Sequence, residues 1–270
     1  MGTRTQIYVN EFDTSGHGLI VERVDGWVDG LVALDRVSQL PGRVGGVILP
    51  PESETAPRTI QVVGTMLGQS AQGGTMSLAT LRSNLDQLKE RLYRGTVEVR
   101  FVDQTDRYVN ARCSGFQVPA TAPQFQNPKS RVSFSLFCPD PLIYSTQPYV
   151  VGFSTVKASL PLGTAPVAPI IRIMGAATNP VLTYRNNGGV SKQTMGFTVT
   201  LAATDYLEID CELATITKYA SGVSSNGMSL WTSGDFITLD PQHGDYVNSL
   251  WPSLETSAGT GETAYRRAWL

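Results

Sequence analysis

The sequence predicts a mainly β chain of two domains, an α+β N-terminal domain followed by an antiparallel β-sandwich. Three observations carry that prediction. The chain has 270 residues, above the size at which one core usually stops growing. A sustained 3.6-residue apolar period occurs once, in the leucine stripe Leu78, Leu81, Leu85, Leu88 and Leu92, whereas most other apolar stretches are short or alternate at period two. Turn formers punctuate those stretches: 26 glycines, 16 prolines and Asn-Gly pairs at 187–188 and 226–227 are suited to many tight connections between strands.

The N-terminal domain is expected over residues 1–145. Residues 6–10 and 19–24 are short apolar strands separated by Gly16 and Gly18. Residues 40–51 (LPGRVGGVILPP) place apolar side chains around a glycine pair, which reads as a bulged strand or as an arm lying on something else. Residues 59–64 form a further strand. The leucine stripe then defines an amphipathic helix, capped by Ser77 and closed by a left-handed turn at Gly95, with Lys89, Arg91 and Arg94 toward the negative end of its dipole. After Gly95 the period changes to two. Val97, Val99 and Phe101 alternate with Glu98 and Arg100, residues 103–106 turn, and 107–113 return as a hairpin. A strand through Val132, Phe134, Leu136 and Cys138 stops at the Pro139-Asp140-Pro141 run.

The sandwich is expected over residues 146–270. Residues 142–169, with Pro148, Pro161, Pro166 and Pro169, read as a crossover into it. Beyond them lie short strands at 170–174, 181–185, 197–201, 206–210, 214–219 and 236–239, with no helical pattern. The aromatic and basic ending YRRAWL reads as docked rather than frayed.

Composition excludes several function classes. Hydrophobic residues make up 41% and charged residues only 16%, against roughly a quarter in ordinary domains, which disfavours coiled coils and charged tails. A net charge of -2 argues against sequence-specific nucleic-acid binding, since phosphate neutralisation needs a basic surface. No apolar run reaches the roughly 18–20 residues of a membrane helix, and the first residues lack the apolar core of a signal peptide. Gln6 stands where myristoylation wants Ser or Thr. Cys113, Cys138 and Cys211 are far apart and odd in number, so buried free thiols and a reducing compartment of synthesis are expected.

Site chemistry is sparse. His17 and His243 are the only histidines, both in loop-like contexts read as exposed, and no Gly-x-Ser-x-Gly elbow accompanies them. No HExxH, Walker or GxGxxG pattern occurs. Glu208, Asp210 and Glu212 alternate and so share one side of a strand. A solvated sheet face accounts for them better than a glycosidase or calcium site, whose carboxylates come from several elements or a dedicated loop. No cofactor or metal is expected. Three readings of function remain at this point: a structural protein assembled by symmetry, a sugar-binding module using Trp231, Tyr184, Tyr219 or Trp251 as a platform, and a cell-wall hydrolase.

Several motifs together resemble one family. These are residues 58–64 (RTIQVVG), the leucine helix, the hairpin around 103–107, residues 135–144 (SLFCPDPLIY), 162–166 (LGTAP), 169–175 (PIIRIMG), Asn179-Pro180, 206–210 (YLEID) and 265–269 (YRRAW). In this order they resemble the distal tail proteins of long-tailed siphophages, over nearly the whole chain. The resemblance implies a galectin-like sandwich after a ring-forming domain, no enzyme activity, and a homo-hexameric ring at the tail tip of the virion, made in the host cytoplasm. Implied partners are further copies, the tail tube protein and the tail hub protein. The tape-measure protein and genomic DNA would pass through the lumen without sequence-specific binding or membrane insertion. Subunit contacts are expected in the 40–51 arm, at Val44, Gly45, Gly46, Val47 and Ile48, and in the hairpin, at Val99, Phe101 and Tyr108.

Overall fold

The computed structural model describes residues 6–27, 37–39, 46–48, 56–69, 75–118, 128–244 and 251–269. They form two compact units, one up to Ile143 and one over Tyr144–Trp269. The fold is mainly β and antiparallel, with one α-helix among the described residues.

In the first unit the strands are β1 (Ile7–Val9), β2 (Phe12–Asp13), β3 (Leu19–Asp25), β4 (Val37–Gln39), β5 (Gly46–Ile48) and β6 (Arg58–Leu67). After helix α1 (Leu78–Leu92) come β7 (Thr96–Phe101), β8 (Arg107–Gln117) and β9 (Lys129–Cys138); β10 (Ile143–Ser145) starts on the last residue of this unit and lies mostly in the next. The main sheet runs β2-β1-β7-β8-β9-β6-β3. Its spine is the β6–β9 ladder, ten consecutive pairs from Arg58↔Cys138 to Leu67↔Lys129. Strict alternation along both strands buries Ile60, Val62, Met66, Val132, Phe134 and Leu136 on one face. Helix α1 packs on β6, β8 and β9 and buries Leu81, Leu88 and Leu92. Its ends follow the sequence reading. Ser77 Oγ accepts from the Thr80 backbone N–H, and Gly95 adopts φ +101°, which a residue with a Cβ reaches only under strain.

The buried stripe of α1 contains one polar residue that periodicity did not single out. Asn84, 5% exposed, donates from Nδ2 to the Leu67 and Gln69 carbonyls, each at 3.0 Å. It ties the helix to the end of β6.

The second unit has β11 (Tyr149–Phe153), β12 (Ala158–Ser159), β13 (Ile170–Met174), β14 (Ala177–Thr178), β15 (Val181–Arg185), β16 (Ser191–Phe197), β17 (Thr200–Leu201), β18 (Tyr206–Asp210), β19 (Thr215–Ala220), β20 (Val223–Asn226), β21 (Trp231–Gly234), β22 (Ser253–Thr256), β23 (Thr260–Tyr265) and β24 (Ala268–Trp269). One sheet has the order β11-β23-β13-β18-β19-β20 and the other β12-β22-β15-β16-β21. Alternate residues of both are buried: Ile171, Ile173, Leu207 and Ile209 in the first, Leu182, Tyr184, Met195 and Leu254 in the second. This is the inside–outside pattern of a β-sandwich. Gly261 is required by packing, because a Cβ there would collide with the Phe153 ring. The chain end is docked within this unit: the Ser145 N–H donates to the Arg267 carbonyl, and Arg266 donates to the Ser145 and Thr146 carbonyls.

Four sequence expectations need correction. The 142–169 crossover contains β10, β11 and β12, with its prolines flanking strands rather than interrupting them. Residues 197–201 are not one strand; Phe197 ends β16 and Thr200–Leu201 pairs separately with β14. Residues 236–239 form no strand, only a bridge from Leu239 to Val167, although Ile237 and Leu239 are fully buried. Their alternation reflects core insertion without a ladder. Of the three free thiols, Cys138 alone is buried, while Cys113 and Cys211 are half-buried.

Burial pushes the Cys138 thiol up to about 11 and the Cys211 thiol to about 12. A raised value means the folded state holds the proton more tightly. This contribution to stability is complete below the ordinary thiol value of 9.0 and is lost as pH rises through 11 to 12. The urea midpoint should therefore decline above about pH 9, and a Cys138→Ala/Cys211→Ala variant should show a shallower decline. An unchanged pH profile in that variant would refute the assignment. Separately, Asn84→Ala should lower stability by about 1–3 kcal/mol, because two carbonyls lose their donor. Arg82→Ala on the exposed side of α1 should stay within about 0.5 kcal/mol. Urea titrations of both variants check this.

Candidate functional site

The sequence placed subunit contacts in the 40–51 arm and the β7–β8 hairpin. Val44 and Gly45 lie outside the described residues. Gly46, Val47 and Ile48 form β5, which pairs with β4 in register Val37↔Ile48, Ser38↔Val47 and Gln39↔Gly46. That pairing is a small hairpin of its own, with a partner strand that the sequence reading did not identify.

The β7–β8 hairpin sits inside the sheet. β1 covers the outer side of β7 in register Ile7↔Phe101 to Val9↔Val99, and β8 continues into β9. Val99, Phe101 and Tyr108 are 0%, 2% and 7% exposed, and Phe101 also meets the Trp27 ring at 4.2 Å. These three side chains are core within one copy. A contact made by this hairpin would use the alternate positions, where Thr96, Glu98 and Arg112 face outward. Among the described residues, the main path of the sheet ends at β2 on one side and β3 on the other.

The outward face of this sheet is built by the same alternation. Thr59, Phe137, Arg112 and Thr96 form one cross-strand row. Phe137 is 39% exposed within it, an apolar side chain between Thr59 and Arg112.

Groups with potential chemistry are engaged structurally. His17 is half-buried, stacked on Phe12 at 4.1 Å and 20°, and so is not the exposed loop residue expected. His243 is also half-buried, 5.5 Å from the Tyr184 ring. Among the described residues no group of three or more His, Cys, Asp or Glu side chains converges as a metal site.

The acidic row divides. Glu208 accepts from Arg172 Nε at 2.8 Å, and Glu262 from Arg172 Nη1 at 3.0 Å. The three residues are direct cross-strand neighbours on β18, β13 and β23, forming an ion-paired face. Hydrogen bonding to Glu208 is the first cause that holds the Arg172 pKa above its ordinary value. Asp210 instead caps the following turn, its Oδ1 accepting from the Glu212 and Leu213 backbone N–H groups.

The four aromatic side chains proposed as a sugar platform separate in the same way. Tyr184 is fully buried, its hydroxyl accepting from Asp240 N–H and donating to the Asp240 carbonyl, so it belongs to the core. Trp231 is half-buried, with its indole N–H on the Ser233 carbonyl. Trp251 is half-buried. Tyr219 is half-buried and stacks on Tyr206, which sequence reading missed as its partner, at 4.4 Å and 14°. Neither tyrosine lines the open cleft of about 460 Å³ along β19 and β20, which is walled by Thr215, Thr217, Ser224, Ser225, Asn226 and Met228 together with Ile216.

No protein-family model matches the sequence, and no curated protein matches it. Solved structures do. The crystal structure of the SPP1 Dit protein (gp 19.1), described as a paradigm of the hub adsorption apparatus in phages infecting Gram-positive bacteria, matches 99% of this chain and 100% of its own, with 17% identity and a TM-score of 0.75. Two structures of the phage p2 baseplate in its activated conformation, with Sr and with Ca, each match 98% of both chains, at 10% and 9% identity and a TM-score of 0.49. The SPP1 likeness establishes architecture: along essentially its whole length, the chain has a Dit-like fold.

Proposed function

We propose that this chain is the distal tail protein of a long-tailed bacteriophage, a structural part of the tail tip with no catalytic role. The observation that carries the reading is the likeness to SPP1 Dit, which spans both units and leaves neither chain with a large unmatched part. An Ig-like or galectin-like sandwich alone would be a weak argument, since such folds host many functions. A one-helix β-sheet unit followed by a sandwich, matched end to end, is far more restrictive.

In this reading six copies close into a ring through their N-terminal units, and the sandwiches sit on its outside. The ring joins the tail tube protein to the hub protein, and its lumen passes the tape-measure protein and the genome. The virion tail tip is then the site of action and the host cytoplasm the site of synthesis. Head-to-tail contacts close when each copy is rotated by a sixth of a turn, and strand borders are natural places for such contacts. The borders β2 and β3 and the β4–β5 hairpin replace Val99, Phe101 and Tyr108 as candidates, because those three are already used in the core.

Light scattering coupled to size exclusion tests the reading. A mass near six times 29.2 kDa is expected, alone or after mixing with the tail tube protein. Antibody raised to the chain should label the distal end of intact tails in negative stain. A single-chain mass under all conditions, with unlabelled tail tips, would overturn it.

A further inference from the structure

The chain carries two Asn-Gly pairs, at 187–188 and 226–227. In such a pair the glycine nitrogen can attack the preceding side-chain amide, because glycine brings no Cβ to hinder the approach. The sequence treats the two pairs alike, and the structure separates them.

Asn187 and Gly188 form the exposed tip of the β15–β16 hairpin. Asn186 closes the loop below that tip. Its N–H donates to the Val190 carbonyl and its carbonyl accepts from the Gly189 N–H, each at 3.0 Å, and its Oδ1 accepts from the Val190 N–H at 2.8 Å. Asn187 is tied through its main chain, its N–H donating to the His243 carbonyl at 2.9 Å. Among the described residues, nothing bonds the Asn187 carboxamide or the Gly188 N–H. Space around Gly188 is open: the nearest atom to the place of a Cβ is Asn186 Oδ1, at 3.5 Å. Nucleophile and electrophile are both free, in a turn whose closure depends on neither.

The second pair is locked. The Gly227 N–H donates to the Ile216 carbonyl at 2.8 Å, and Asn226 Oδ1 accepts from the Met228 N–H at 2.9 Å. A Cβ on Gly227 would stand 2.9 Å from Ile216 Cγ2 and 3.3 Å from two backbone atoms of β19. Attack there requires both bonds to open first, and each lowers the competent population.

We infer that Asn187 is a site of spontaneous covalent modification, protected neither by hydrogen bonding nor by packing, whereas the fold shields Asn226. The Gly188 nitrogen gives its proton to solvent hydroxide and bonds to Asn187 Cγ. The Cγ–Nδ2 bond breaks, and Nδ2 leaves as ammonia with a proton from water. The cyclic imide then takes up water at one of its two carbonyls. Opening at one leaves aspartate; opening at the other carries the main chain through the former side chain as isoaspartate. Nothing is oxidised or reduced. Either product makes the formal net charge of -2 one unit more negative. The inference does not depend on ring assembly, since every residue belongs to one copy.

The test incubates the full chain in mildly alkaline buffer at physiological temperature and samples it over weeks. Trypsin releases residues 186–192 (NNGGVSK), bounded by Arg185 and Lys192. That peptide should gain the mass difference between a hydroxyl and an amine and split into two chromatographic forms. The isoaspartyl form should accept a methyl group from protein isoaspartyl methyltransferase. Asn226 in the same samples should react about tenfold more slowly, or slower still, given two bonds to open. In guanidinium chloride both sites should react at similar rates. Gly188→Ala should fold normally, since φ there is not positive and its Cβ would meet only ordinary contacts, and it should slow the change at Asn187 several-fold. The inference is overturned if residues 186–192 stay unmodified, if Asn226 reacts as fast as Asn187 in the folded chain, if the unfolded chain shows the same preference as the folded one, or if Gly188→Ala leaves the rate unchanged.

Discussion

Ten uninterrupted residue pairs join β6 to β9, and the rest of the first unit takes its positions from that ladder. A slip of β6 by one residue against β9 would turn Ile60 and Val62 to the solvent and bring Thr59 and Gln61 into the core, which burial energy forbids. Both neighbouring ladders carry irregularities instead. β3 shifts register between Val21 and Arg23, and β8 shifts between Cys113 and Gly115. The strain of joining long twisted strands is thus placed outside the spine. Helix α1 is fixed to the same spine by leucines and by the Asn84 bonds to the end of β6, so helix and sheet share one register.

The sandwich applies the same rule with a different filling. Inward positions on β22 and β23 include Thr256, Gly261 and Thr263 beside Leu254 and Tyr265, all buried. A hydroxyl-bearing β-branched residue packs nearly as well as valine if its oxygen finds a carbonyl, as Thr256 Oγ1 does on Ala258. On the outside, the Arg172 ion pairs link β18, β13 and β23, three adjacent strands. Half-exposed pairs of this kind add little stability by themselves, but the three residues oppose one another directly and favour one pairing register over its neighbours.

Those two devices explain what could be read from the sequence. The leucine stripe, the Ser77 cap, the Gly95 stop and the period-two strands from 97 to 138 were legible, because there apolar side chains mark every buried position. β22 and β23 were invisible, since Thr256, Gly261 and Thr263 fill inward sites between Leu254 and Tyr265 and mimic a polar loop. The segment 236–239 misled in the opposite sense: Ile237 and Leu239 are apolar because they enter the core without joining a ladder. Candidate contact residues suffered from the same ambiguity. Val99, Phe101 and Tyr108 are apolar because β1, Trp27 and the sheet interior cover them, and hydrophobicity alone does not distinguish a residue buried by its own chain from one buried by a neighbouring copy.

Borders obey a separate constraint, which hydropathy does not report. β20 is an edge strand whose four residues are all exposed, and it carries no lysine, proline or bulge to discourage pairing with a foreign strand. Its protection is its length. Gly227 N–H bonds back to the Ile216 carbonyl, and Asn226 Oδ1 accepts from Met228 N–H, so the chain turns away into a 3₁₀ turn after one short run. A strand that stops there cannot template a long ladder, yet its side chains still stand beside Tyr219. The uncharged, small residues that such a border tolerates look like unremarkable loop composition in the sequence. How far this border can pair follows from where the strand ends, a property of backbone hydrogen bonding that becomes visible only once register is known.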